Sequence, residues 1–203
     1  MRTEFGRRED GAALVEAALV LPVLLLLIFA LADVSIYYWN VSLANKAVQL
    51  GARQAIVSDA VAVGPGLDPS ESASYWDGLP PGSRCSSGGG VGDVCPQFAV
   101  VCDLSGGCRC TGAGCRFTFA PNRLTPILDA MRAVLPGLAA QNVQVSYATN
   151  GLGYVGRPIP VPVNVGVSLV GLNYETNLIG PIVGSTIPLR ASALLPSEGL
   201  SRR

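Results

Sequence analysis

The sequence predicts an α+β protein: a long N-terminal helix, transmembrane and then amphipathic, followed by a small antiparallel-sheet domain with a cysteine-rich loop insert. Three observations lead there. An apolar run from Ala12 to Ala32 carries one charge, Glu16, and is long enough to cross a bilayer, which takes about 20 helical residues. All 6 cysteines fall between Cys85 and Cys115, in a stretch dense in Gly, Pro, Ser and Asp. Beyond residue 117 the pattern turns from helical spacing to strict alternation.

The first element is a charged head, residues 1–11, in which Arg2, Arg7 and Arg8 are countered by Glu4, Glu9 and Asp10. The predicted helix spans residues 12–60. Residues 12–32 form the span, with Pro22 inside it, a residue that membrane helices tolerate. A carboxylate placed in such a run costs about 2.5–3.5 kcal/mol to insert at the bilayer centre, so Glu16 is expected to have a purpose. The competing reading of Glu16 is a snorkelling carboxylate, about 6 Å along the helix from Ala12.

Ala30-Leu31-Ala32 also fits a signal-peptidase site, and cleavage there would release a chain beginning at Asp33. The head lacks the net positive charge a signal peptide wants, and the helical pattern does not stop at Ala32. Val34, Tyr38, Val41, Ala44, Val48, Ala52 and Ile56 recur at spacings of three and four, giving residues 33–60 an apolar stripe. A continuous helix over 12–60 would be about 70 Å long, more than a lone anchor needs.

These residues resemble the TadE/TadG-like pseudopilins of the tight-adherence (Flp-type) pilus system. The likeness lies in Gly11-Ala-Ala-Leu-Val-Glu16, the Pro22-centred apolar run, Asp33 followed by Tyr37 and Tyr38, and Asn45-Lys-Ala-Val-Gln-Leu-Gly51-Ala52-Arg53. It covers about residues 7–60. The resemblance implies cleavage by prepilin peptidase between Gly11 and Ala12, which makes Glu16 the fifth mature residue. It also implies that Glu16 pairs with the N-terminal amine of a neighbouring subunit. Two buried opposite charges offset a desolvation cost that neither sustains alone. The chain departs from the family habit at Ala17, where many relatives carry Tyr or Phe. The implied partners are the inner membrane, the peptidase, other pilin or pseudopilin subunits and the pilus assembly platform. The implied location is the inner (cytoplasmic) membrane, single-pass, with the C-terminal domain periplasmic or extracellular and incorporation in the pilus open.

Residues 64–116 read as a loop insert whose one strand-like run is Gln97–Asp103. So little periodicity calls for covalent support. The disulfide candidates are Cys85, Cys95, Cys102, Cys108, Cys110 and Cys115, with fifteen possible pairings. Cys108 and Cys110 are too close in sequence to bridge each other without strain. Metal binding is the weaker alternative, since Cys-Arg-Cys is not a zinc-knuckle spacing and the chain has 0 histidines. Gly88-Gly-Gly-Val-Gly92 lacks the Lys-Ser/Thr of a phosphate loop and reads as linker. Tyr75 and Trp76 are read as anchors of a small core in preference to an adhesive patch.

In residues 117–203, Leu124–Leu135 is predicted helical, beginning at Thr125-Pro126. Val143, Val145 and Tyr147 alternate as a half-buried strand, and Asn150-Gly151 signals a turn. Val161, Val163, Val165, Val167 and Leu169 line a second strand whose start is irregular because Pro158, Pro160 and Pro162 lack donors. Ile187, Leu189, Ala191 and Ala193 mark a third. Leu178–Val183 reads as a buried connector.

The lack of histidine excludes Ser-His-Asp and Cys-His catalysis. Asp93, Asp103, Asp129, Glu175 and Glu198 are scattered and read as solvated surface groups. No enzyme activity, cofactor or metal is expected. A net charge of +0 argues against a nucleic-acid partner. The alternative to a pseudopilin is a secreted or membrane-tethered, disulfide-stabilised binding or adhesion protein cleaved after Ala32.

Overall fold

The computed structural model describes residues 6–69, 75–85, 95–112, 116–176 and 186–197, with side chains from residue 11 onward. The first element, α1, is a single helix from Gly6 to Val57 that passes through Pro22 without a break. Its 52 residues correspond to about 78 Å. The expected continuity past Ala32 is therefore present.

The chain divides into two compact units, Met1–Asn40 with Asn173–Pro188, and Val41–Leu172 with Leu189–Arg203. A sheet of five strands, most of it in the second unit, has the order β3-β2-β5-β6-β7. Its strands are β2 (Phe98–Asp103), β3 (Gly107–Gly112), β5 (Val143–Thr149), β6 (Val163–Glu175) and β7 (Thr186–Ser197). A small ladder pairs β1 (Ala62–Val63) with β4 (Thr118–Phe119). A second helix, α2, spans Pro121–Arg132.

Alternation decides which sheet face is buried. Val143, Val145 and Tyr147 of β5 and Val163, Val165, Val167 and Leu169 of β6 are all buried, and the pairing Val145↔Val167 and Tyr147↔Val165 stacks them in register. β6 begins directly after Pro162, as the donor-less prolines require. Leu124, Ile127, Leu128 and Met131 form the buried face of α2. This helix starts at Pro121, one turn earlier than Thr125-Pro126. Pro121 occupies the first turn, where a missing N–H costs nothing, and Pro126 is accommodated inside the helix.

The helix face that meets this core is built of small residues. Ala44, Ala47, Val48, Ala52 and Ala55 are buried. A Cβ on Gly51 would lie 2.7 Å from Met131 Sδ and 3.3 Å from Val167 Cγ1. The helix thus approaches α2 and β6 more closely than a larger side chain allows. Only part of the expected apolar stripe is buried within the chain. Ala44, Val48 and Ala52 belong to it, whereas Val34 and Tyr38 are 49% and 66% exposed.

The cysteine-rich stretch contributes to the main sheet. β2 pairs with β5 through Ala99↔Ala148 to Asp103↔Gln144, and with β3 through Phe98↔Gly112 to Asp103↔Gly107. Strand β3 was not legible, because Gly-Cys-Arg-Cys-Thr-Gly has no apolar alternation. Gly88–Gly92, Leu178–Val183, Asp93 and Glu198 lie outside the described residues.

Candidate assembly segment

The N-terminal half of α1 presents an uninterrupted apolar surface. Every residue from Gly11 to Ile28 is exposed, including Leu14, Leu19, Val23 and Leu27. Among the described residues this is one helix long and apolar enough to cross a membrane, and its most apolar window is 0% buried. A core helix of a globular domain would show the reverse.

Gly11, Ala12 and Glu16 share the first turns of this surface. At Gly11 nothing lies within 4 Å of where a Cβ would project, so the backbone there is open on its side-chain face. Glu16 is fully on the surface, about 7.5 Å along the axis from Gly11. It forms no ion pair within the chain among the described residues. An exposed carboxylate at the base of an apolar helix can be compensated by water, headgroups or another chain.

Farther along α1, Asp33 is only 1% exposed, a burial not legible from sequence spacing. One turn on, the Tyr37 ring packs at 5.6 Å on Tyr174 of β6. Tyr38 and Trp39 point away and are 66% and 67% exposed.

The described cysteines are disulfide-bonded. Cys85 bonds Cys95, and Cys102 bonds Cys108 directly across the β2–β3 ribbon. Cys110 is also disulfide-bonded, and Cys115 lies outside the described residues. Sulfurs so committed have no thiolate to offer a metal. Tyr75 is buried, its hydroxyl donating to Pro96 O at 2.9 Å, and Trp76 Nε1 donates to Arg157 O at 3.2 Å. These rings anchor the loops around the Cys85–Cys95 bridge, as expected. Burial pushes the Tyr75 phenol up to about 12.

Two carboxylates are structural where solvated groups were expected or none was singled out. Asp103 is buried at the β2–β3 turn and accepts hydrogen bonds from Arg109 at 2.6 Å, Ser105 at 2.8 Å, Gly106 N–H and Gln144. Burial pushes its carboxyl up, but the hydrogen bonds and the Arg109 charge together outweigh this and hold it down at about 2. Asp68 receives Arg123 Nη1 at 2.9 Å, and the same guanidinium nitrogen donates to Ala60 O at 3.0 Å. That pair ties the start of α2 to the segment after α1. Tyr147 completes the tie: its oxygen accepts the Val61 N–H at 3.0 Å, and burial pushes its phenol up to about 12. Asp129 and Glu175 are exposed, as expected. Among the described residues no cluster of three or more His, Cys, Asp or Glu is arranged to hold a metal.

Residues 11–53 match the model of a protein family described as TadE-like protein. The match begins at Gly11 and ends within the small-residue face, so it covers the exposed apolar half of α1 and most of its buried half. The likeness to TadE/TadG-like pseudopilins drawn from residues 7–60 thus holds over this helix, and the family is a structural, pilin-like one. No curated protein and no solved structure matches the chain.

Proposed function

We propose that the protein is a membrane-anchored, pseudopilin-like structural component of tight-adherence pilus assembly, acting through helix packing and subunit association. One observation carries the reading: the TadE-like match falls on a continuous helix whose residues from Gly11 to Ile28 are all exposed and, Glu16 apart, apolar. A helical segment whose residues are all exposed has its apolar surface available for lipid or for other helices.

In this reading residues 1–11 are a cytoplasmic leader, residues 12–32 the span and residues 33–60 the amphipathic shaft. Residues 64–116 are the cysteine-rich part and 117–203 the pilin-like α+β part. Prepilin peptidase cuts after Gly11, and Glu16 pairs with the new amine of Ala12 on an adjacent subunit. The open backbone at Gly11 and the exposure of Glu16, which forms no ion pair among the described residues, support these roles. The disulfides support placing the C-terminal domain in an oxidising compartment, periplasmic or extracellular, with the span in the inner membrane.

The mature N-terminus tests this directly. Mass spectrometry of protein purified from membranes should find Ala12. A chain beginning at Asp33 would sink the pseudopilin reading in favour of a secreted disulfide-stabilised binding protein. An intact Met1 would leave an uncleaved anchor.

A further inference from the structure

We infer that Tyr38 and Trp39 form an aromatic collar that seats α1 in the phospholipid headgroup interface on the domain side of the membrane, beyond Ala32 where the apolar run ends. The inference rests on the reading of α1 as a membrane span and deepens it: the seated length runs past Ala32 as far as Trp39. It stands on three features of residues 33–39.

The first is division of faces. Asp33 and Tyr37 are one turn apart on one side of α1, and that side is covered by the chain itself: Asp33 is 1% exposed and Tyr37 packs on Tyr174. Tyr38 and Trp39 project from other sides and are 66% and 67% exposed, as are Val34 and Ile36 at 49% and 41%. The charged group is therefore sheltered by protein where the helix leaves the apolar run, and the rings are not.

The second is ring chemistry. Indole and phenol combine a large apolar body with one polar N–H or O–H. They concentrate where hydrocarbon gives way to headgroups. Fully exposed to water, two adjacent rings of this size carry a hydrophobic penalty that an interface removes.

The third is distance. Ala12 and Trp39 are about 40 Å apart along the helix, close to the full bilayer thickness of about 40–45 Å with its headgroups. With Trp39 in one interface, Ala12 and Glu16 fall in the opposite one. Glu16 is then near water or a neighbouring subunit's amine and clear of the hydrocarbon centre. A span ending at Ala32 would instead lift both rings about 10 Å beyond the hydrocarbon edge.

The chain has 2 tryptophans, so Trp76→Phe leaves Trp39 as the single emitter. The full-length variant, reconstituted in phosphatidylcholine–phosphatidylglycerol vesicles, is titrated with lipids spin-labelled near the headgroup or near the chain end. Trp39 should be quenched about twofold more by the shallow label than by the deep one. A Phe29→Trp probe in a Trp39→Phe, Trp76→Phe background sits about 15 Å deeper and should show the opposite order. Quenching of Trp39 by aqueous iodide without quenching by either lipid label would overturn the collar while the Phe29→Trp probe keeps the span. Shielding of Trp39 from both iodide and lipid would also overturn it, in favour of a protein partner covering the rings. Loss of lipid quenching at the Phe29→Trp position would defeat the membrane reading itself. The Trp39→Phe difference spectrum in a chain retaining Trp76 repeats the measurement should Trp76→Phe misfold.

Discussion

Asp103 is held as a carboxylate by Ser105, Gly106, Gln144 and Arg109, with its pKa lowered from the ordinary 3.8 to about 2. Since the folded value lies below the unfolded one, the stabilisation is complete above about pH 4. It is lost as the pH falls through about 2, and amounts to about 2 kcal/mol. Asp103→Asn should reduce unfolding free energy by about 1–2 kcal/mol at pH 7 in urea titrations. The gap to wild type should close by pH 2, and a gap independent of pH would show that the charge is not what stabilises the turn. Gly51 is constrained by space. Its added Cβ meets the flexible Met131 side chain first and Val167 second. Gly51→Ala should therefore cost about 1 kcal/mol, partly offset by helix propensity, and Gly51→Leu about 3 kcal/mol, read as lowered Tm.

At the scale of elements, the β2–β3 ribbon depends on its cross-link. Its strands are 6 residues each and β3 has no buried residue of its own. The Cys102–Cys108 bond closes a short loop and contributes about 2 kcal/mol on the chain-entropy account. Cys102→Ser with Cys108→Ser should cost about that much and speed amide exchange across residues 107–112. Protection equal to wild type would mean that the β2–β3 hydrogen bonds suffice without the bridge. The legibility of each element follows from the same physics. β5, β6 and β7 could be read because one face of each is buried, and alternation records that burial. β3 could not, since its register is set by a sulfur bond and by β2. The length of α1 was legible from unbroken helical spacing, but its packing face was not. Close helix–sheet approach selects Ala and Gly, whereas the stripe was drawn through bulk, at Val34 and Tyr38. Gly11 and Glu16 stood out because a single charge in an apolar run is conspicuous. Asp68 and Asp103 did not, because what distinguishes them is burial by residues distant in sequence.

For the whole molecule, the exposed half and the packed half of α1 answer to different partners. The face from Ala44 to Ala55 is satisfied within the chain, while Gly11 to Ile28 is not. Glu16→Ala should therefore leave domain stability and membrane insertion unchanged while impairing incorporation into fibres by about tenfold or more. Co-purification with other pilus subunits measures the loss. Normal incorporation in that variant would exclude charge pairing as the role of Glu16.

The ribbon disulfide also has a consequence in time. Cys102 and Cys108 are 6 residues apart, whereas β2 must wait for β5, some 40 residues later, before its other edge is paired. Short loops close at small entropic cost and long ones at more, so the β2–β3 ribbon can be covalently fixed before β5 has paired. The edge of the sheet then precedes its centre. β5 and β6 arrive to find a strand already locked in register, a template for the order in which the rest of the sheet is laid down.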